Sequence, residues 1–293
     1  MKKGRVLVTG AAGFTGRYVI QTLESDGTYD VYSDRTAEGT RVDLTCEEQV
    51  NSLVASICPN YVIHLAAISY VGHGKEEDFY KVNVDGTANL LNAVKKYSKE
   101  IKQLLVASSA NTYGNVESEN AISEDCIQLP VNEYARSKLE MERVIRERFS
   151  DIPIVITRPF NYTGYGQSEK FLIPKIVNSF KQRDDLISLG NIEVYRDYSD
   201  VRDVARIYKA LLDMNIGSDC INICSGRSYS IREIFDICER LTGHIVEVRS
   251  LSSLRRGNEI QYLLGDNSRL HKYMKGYYAI PLIETLKWML EGK

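Results

Sequence analysis

The six cysteines and four histidines contain no C-x-x-C pair and no paired His spacing, so nothing matches the usual zinc sites or a disulfide framework. Cys46, Cys58, Cys126, Cys220, Cys224 and Cys238 instead suit free, buried thiols in a cytoplasmic protein. No apolar run approaches the ~18 residues of a membrane-spanning helix. Nor is there an excess of one charge: the net value is -2, which provides no field for nucleic acid or a lipid surface. Internal repeats and low-complexity linkers are missing as well. The opening Met1-Lys2-Lys3-Gly4-Arg5-Val6-Leu7-Val8 runs directly into a strand, so no signal peptide is expected.

What is present has ordinary globular composition: 293 residues, 43% hydrophobic and 26% charged. Near-continuous apolar runs at residues 5–9, 30–33, 61–65, 104–107 and 154–157 predict strands of a parallel sheet covered on both faces. Amphipathic stretches at 13–25, 47–57, 79–97 and 133–149 predict helices between them. This alternation predicts an α/β fold with a doubly wound parallel sheet. A further strand is expected over 220–224. The rhythm breaks at 164–190 and 226–265. The expected division is a dinucleotide-binding domain over 1–163, with 192–226 returning to it. A smaller discontinuous α+β lobe for substrate would comprise 164–191 and 227–293.

Val6-Leu7-Val8-Thr9-Gly10-Ala11-Ala12-Gly13-Phe14-Thr15-Gly16 is an apolar strand, a G-x-x-G-x-x-G loop and a helix start. Glycines let backbone approach a pyrophosphate, and the helix N-terminus presents N–H groups to the anion. Asp34 follows Gly10 by 24 residues and can accept from the ribose hydroxyls of NAD. Arg35 beside it can pair with the 2′-phosphate of NADP. The two point in opposite directions, and the pair admits NADPH without excluding NADH. Asp43 and Leu44 are candidates to flank the adenine.

Tyr134 and Lys138 are four apart in Asn132-Glu133-Tyr134-Ala135-Arg136-Ser137-Lys138, which puts them on one helix face. A lysine beside a phenol favours phenolate and brings a group titrating near pH ~10 toward use as a general acid or base. With 19 tyrosines in the chain the spacing also arises by chance, so its neighbours must decide. They occur in fixed order: the glycine loop, Asp43-Leu44, His64-Leu65-Ala66-Ala67, Asn83, Ser108-Ser109, Tyr134-x-x-x-Lys138 and Arg158-Pro159-Phe160-Asn161. Together they resemble the extended short-chain dehydrogenase/reductase family over nearly the whole chain. The resemblance implies that Ser109 bonds the substrate carbonyl, Tyr134 exchanges the proton, and Lys138 binds the nicotinamide ribose. It also places Leu65, Ala66, Ala67, Asn83 and Pro159 at an NADPH or NADH cofactor. Ser109 could otherwise be a strand-end turn residue, and His64 reads as a satisfied core histidine.

Within that family, Leu189-Gly190-Asn191, Arg196-Asp197-Tyr198 and Arg255-Arg256-Gly257-Asn258-Glu259 are similar to enzymes of GDP-linked 4-keto-6-deoxy sugars, dehydratases and reductases alike. That similarity implies Asn161, Arg196 and Arg256 at the diphosphate, where a planar guanidinium can donate two parallel bonds. It implies Glu259 at the nucleotide ribose, Phe171, Lys175 and Gly190 at the guanine, and Ser69 at the substrate. Otherwise Arg196-Asp197 and Arg256-Glu259 would be surface ion pairs. The resembling dehydratases carry Glu where this chain has Asn111, and an amide cannot accept and return a proton. Carbonyl reduction is therefore expected, with a nucleotide-sugar epimerase or dehydratase as the rival on the same fold. A non-catalytic dinucleotide-binding regulator has no need of Ser109, Tyr134 and Lys138 together. The helical stretches 79–97 and 133–149 resemble the family's dimer-forming pair, so a homodimer is expected. No metal site is expected.

Overall fold

The structure is a computed structural model that describes residues 2–25, 27–36, 38–69, 75–116, 120–254 and 260–292. The chain divides into two compact units. The first comprises Met1–Tyr113, Ile127–Pro159 and Ala205–Ile221; the second comprises Gly114–Cys126, Phe160–Val204 and Asn222–Lys293.

In the first unit, strands β1 (Gly4–Thr9), β2 (Tyr29–Ser33), β3 (Tyr61–His64), β4 (Gln103–Ala107) and β5 (Ile154–Pro159) alternate with helices. The helices are α1 (Phe14–Glu24), α2 (Glu47–Ile57), α3 (Glu76–Tyr80), α4 (Gly86–Tyr97) and α5 (Glu133–Arg148). Strand order is β2-β1-β3-β4-β5 with parallel pairing throughout, and a later strand, Asp219–Ile223, completes a six-stranded sheet beside β5. This is the doubly wound α/β fold predicted from the alternation. The order reverses between β1 and β3, and ligands of such sheets bind at the carboxyl ends of the strands flanking that point.

One sheet face contributes Leu7, Val62, Leu104, Val106, Ile154 and Ile156 to a core that α2, α4 and α5 close with Val50, Val54, Leu90, Leu91, Met141 and Ile145. Each fully buried Leu or Ile of this kind stabilises the fold by about 1.5–3 kcal/mol. The single helix expected over 79–97 is interrupted: Lys81–Asp85 forms a π-turn between α3 and α4. Asn83 lies in it, its amide turned inward onto Ile68 and Ser137. Such π-turns recur where a helix must aim one side chain.

The returning segment is stitched to the sheet by polar side chains. Gln103 donates to Gly217 O (2.8 Å) and accepts from Gly217 N (3.1 Å). Asp213 accepts from Tyr29 Oη at 2.8 Å and from Lys3 Nζ at 2.6 Å.

The second unit carries β6 (Asn161–Thr163), β7 (Leu186–Leu189), β8 (Tyr195–Asp200), β10 (Ser228–Ser230), β11 (Glu247–Ser250) and β12 (Tyr262–Leu263), where β9 denotes the last strand of the six-stranded sheet, Asp219–Ile223. Strand β8 pairs with β6, β10 and β12, and β7 pairs with β11. Helices α6 (Leu172–Gln182) and α8 (Ile231–Thr242), which flank α7 (Val201–Met214) in the chain, cover these strands through Ile173, Ile176, Phe180, Ile234 and Phe235. A Ser230/Glu233 capping box starts α8 and Gly243, at φ 65°, ends it. Among the described residues no helix is long and apolar enough to cross a membrane.

Candidate active site

Strand β1 delivers Gly10 at φ 71°, where an added Cβ would lie 2.7 Å from Ala66 N. Added to Gly16, a Cβ would meet Gly10 O at 2.2 Å. Glycine at both positions is what lets the start of α1 close on the loop and the loop close on Leu65-Ala66. Helix α1 begins after Gly13 without a side-chain cap, an arrangement suited to a phosphate. Phe14 stacks edge-on against Tyr18, and Thr15 sits in the same first turn. The cradle fits the pyrophosphate of a dinucleotide.

Asp34 is buried, and its carboxylate accepts from Gly10 N (2.9 Å) and Ala11 N (3.3 Å). The candidate ribose acid thus braces the glycine loop from below. Arg35 donates to Gly39 O at 2.6 Å. With Arg17, Gln21 and Ser33 it lines a pocket of about 440 Å³ beside Ala11 and Ala12. Asp43 accepts from the backbone and hydroxyl of Thr45, bonds that hold its carboxyl below the usual range. Leu44 is buried, and its carbonyl accepts from Asn89 at 3.0 Å.

His64 ends β3 inside the protein, and burial, then the charge of Lys138, pushes it down to about 3, so it is neutral. Thr87 Oγ1 donates its only proton to Asn83 O at 2.6 Å. His64 Nε2 must therefore donate to Thr87 (2.8 Å), and its Nδ1 must accept from Thr9 (2.6 Å). His64 is thus a satisfied core histidine, as read from sequence. Past Leu65, Ala66 and Ala67, Ile68 N donates to Asn83 Oδ1 at 2.9 Å, and Ser69 is exposed. Asn83 Nδ2 donates to Ser137 Oγ (3.0 Å), whose proton goes to Tyr134 O (2.8 Å). This chain of bonds ties the segment after β3 to the helix that carries Tyr134.

Helix α5 starts at an Asn132 cap that accepts from Ala135 N. Tyr134, in the first turn, and Lys138, one turn on, share a buried face. Lys138 Nζ donates to Ala107 O at 2.7 Å, at the end of β4. Burial brings its ammonium down to about 8, a fall that Glu142 partly opposes. Ser109 lies two residues past the end of β4 and is buried. Its Oγ accepts from Asn111 N at 3.2 Å, leaving the hydroxyl proton to be given elsewhere. Pro159 ends β5, half-buried. Two groups given no role from sequence sit behind this centre: Glu142, one turn past Lys138, and Arg158, bonded to it at 2.7 and 3.0 Å.

The second unit gathers its own candidates. Lys175 Nζ on α6 donates to Ser188 O at 2.8 Å, on the strand that leads to Gly190, and Lys175 N bonds the carbonyl of Phe171, the residue that caps α6. Asn161 pairs with Tyr198 across β6 and β8. Two residues earlier on β8, Arg196 donates to Tyr195 O, Gln261 O and Ile260 O. Arg196 is thereby fastened to the chain just after Glu259. Arg256 and Glu259 themselves, with Arg255, Gly257 and Asn258, lie outside the described residues. Asp197 is no surface partner of Arg196. It is buried, accepts from Ser225 and Gly226, and burial pushes its carboxyl up to about 6.

A profile of the NAD dependent epimerase/dehydratase family matches residues 6–224. The chain belongs to that family. Members similar to it include the GDP-6-deoxy-D-talose 4-dehydrogenase of Aggregatibacter actinomycetemcomitans, 33% identical over 96% of this chain and 95% of that one. The GDP-6-deoxy-D-mannose reductase of Pseudomonas aeruginosa is 30% identical over 98% and 96%. The crystal structure of RMD from Pseudomonas aeruginosa complexed with NADPH superposes at TM-score 0.87, with 28% identity over 99% of this chain and 98% of that one.

Membership in this NAD(P)-dependent epimerase/dehydratase family accords with the glycine cradle of the first unit. Glu142 was findable in the sequence: it continues the four-residue spacing from Tyr134 through Lys138. Arg158 stood in a motif string with no role attached, and only the fold brings it to Glu142. Asp197 left no sequence signal beyond its place beside Arg196.

Proposed function

We propose that this protein reduces the C4 keto group of a GDP-4-keto-6-deoxy-hexose with NADPH or NADH, giving GDP-D-rhamnose or GDP-6-deoxy-D-talose. The observation that carries the reading is that Asn111, two residues after Ser109, has an amide side chain where elimination needs an acid, on the same unit as Tyr134 and Lys138. The talose dehydrogenase and mannose reductase relatives support the substrate class.

A bound reduced nicotinamide supplies the hydride. Charge then develops on O4 of the sugar. Ser109 donates to that oxygen, and Tyr134 gives it a proton. Lys138, held against Ala107 O, keeps a positive charge near the phenol and so eases departure of its proton. Gly10, Gly13 and Gly16 admit the cofactor pyrophosphate. Arg35, with Arg17 and Ser33 around the adjoining pocket, favours a 2′-phosphate, so NADPH is the preferred reductant. Asn161, Arg196 and Arg256 would anchor the substrate diphosphate, Glu259 its ribose, and Phe171, Lys175 and Gly190 its guanine. Binding energy from those remote groups serves to orient C4. A homodimer through α4 and α5 and a cytoplasmic location belong to the same proposal; light scattering that gives a monomer at micromolar concentration removes the dimer.

The test is oxidation of NADPH or NADH on addition of GDP-4-keto-6-deoxy-mannose, with the product configuration read by NMR. Folded protein that turns over neither cofactor ends the reductase reading. Conversion without net cofactor consumption favours the epimerase or dehydratase alternative.

A further inference from the structure

Tyr134, Lys138 and Glu142 follow each other at four-residue spacing on the buried face of α5. Glu142 is wholly enclosed, yet it is charged. Burial alone would raise its carboxyl, but Arg158, Ser108 and Arg146 together hold it below the usual range. Its Oε1 accepts from Ser108 Oγ at 2.5 Å and Arg158 Nε at 3.0 Å. Its Oε2 accepts from Arg158 Nη2 and Arg146 Nη2, both at 2.7 Å, and from Gln128 Nε2 at 3.3 Å. Arg158 in turn donates to Tyr113 Oη at 2.9 Å and lies over the Tyr113 ring. One carboxylate thus fastens the end of β4, the end of β5 and helix α5 together. Ser108 is the residue before Ser109.

The electrostatics give the same carboxylate a second effect. Around Lys138, β3 presents His64, which is neutral, and β4 presents the uncharged Ala107 carbonyl. Helix α5 presents Tyr134 and Glu142, and behind Glu142 stands the cation of Arg158 on β5. Glu142 is the anion in this set. A buried ammonium without such a partner sheds its proton at lower pH.

We propose that Glu142 is the positioning residue of the Ser109, Tyr134 and Lys138 centre, a buried anion that keeps Lys138 cationic and sets Ser109 through Ser108. The inference rests on the reading of that centre given above. Glu142 touches no substrate, and its effect passes through Lys138 and Ser108.

The experiment compares wild type, Glu142→Gln and Ser108→Ala by the pH dependence of kcat/KM for NADPH-driven keto reduction. A parallel readout is the NMR pH titration of Lys138 in protein labelled at lysine Cε. Glu142→Gln is expected to move both the alkaline limb and the Lys138 inflection down by about one pH unit. Ser108→Ala keeps every charge, and is expected to lower kcat by about tenfold with the limb unmoved, the low end for loss of one hydrogen bond to a charged group. Because Glu142→Gln leaves Arg158 buried beside an amide, Glu142→Gln/Arg158→Gln serves if the single variant does not fold. It loses the nearer anion and the farther cation, so the limb still moves down. A folded variant with the Lys138 inflection where wild type has it overturns the proposal. Wild type that never turns over the keto sugar, while the Lys138 inflection moves as expected, removes the functional reading and leaves this one standing.

Discussion

The backbone N–H of Asn111 donates to Ser109 Oγ at 3.2 Å. Because the donor is backbone, the bond survives a change of side chain. Asn111→Ala should therefore retain keto reduction to within about a few-fold, since neutral side chains away from the reacting atoms have small effects. Steady-state NADPH oxidation checks this, and a loss beyond a hundredfold would place the Asn111 amide on the substrate.

Tyr134→Phe removes the proton donor and should lower kcat by about 10²–10⁴, the range for a general acid. Ser109→Ala should lower kcat by about 10²–10³, as for a single oxyanion donor. Calorimetric binding of GDP should be unchanged in both. Activity within tenfold of wild type in Tyr134→Phe would reassign the proton.

Burial sets the Lys138 ammonium at about 8, below its ordinary value of 10.5. The kcat/KM for the keto sugar should therefore fall as pH rises through about 8, as the positive charge beside Tyr134 is lost. For stability the sign is opposite. Between about 8 and 10.5 the unfolded chain holds the proton that the folded chain has released, so this group makes stability rise across that window. Lys138→Met should lack that rise in denaturant melts.

Arg35 bounds the pocket beside the glycine loop with Arg17 and Ser33. Arg35→Ala should raise KM for NADPH by about 10–100-fold, the loss of a charge-assisted bond, and leave KM for NADH within a few-fold. Equal losses with both cofactors would show that Arg35 supports the loop and not the 2′-phosphate.

A methyl group at Gly16 would sit 2.2 Å from Gly10 O, so Gly16→Ala has to displace the loop or the helix. Overpacking of this kind costs about 1–3 kcal/mol, which predicts NADPH affinity lower by roughly one order of magnitude. Calorimetric titration with NADPH is the measurement.

The sheet of the first unit was legible because β1, β3, β4 and β5 are mostly buried and read as near-continuous apolar runs, while β2 is only partly covered. Helix α5 was legible too, since Tyr134 and Lys138 repeat at helical spacing. The π-turn at Lys81–Asp85 was not, because its cause is a tertiary bond between Asn83 and Ser137, 54 residues apart. Residues 164–190 and 226–265 showed only a loss of rhythm. There, β7 and β11 pair in parallel across a long separation, which no local periodicity encodes. Asp34 was singled out as a ribose acid; its bonds to Gly10 N and Ala11 N depend on how β1 and β2 lie side by side.

The stitching of Gln103 to Gly217 bears on how the polypeptide is made. Residues 160–204 belong to the other unit, so on the ribosome β4 and β5 emerge well before β9 and Gly217. Until then β5 is an open edge and Gln103 lacks both of its bonds to Gly217, keeping only its donation to Pro153 O. The dinucleotide-binding unit cannot complete its sheet from its N-terminal residues alone, and a nascent chain paused in that interval is the species most exposed to mispairing with its neighbours.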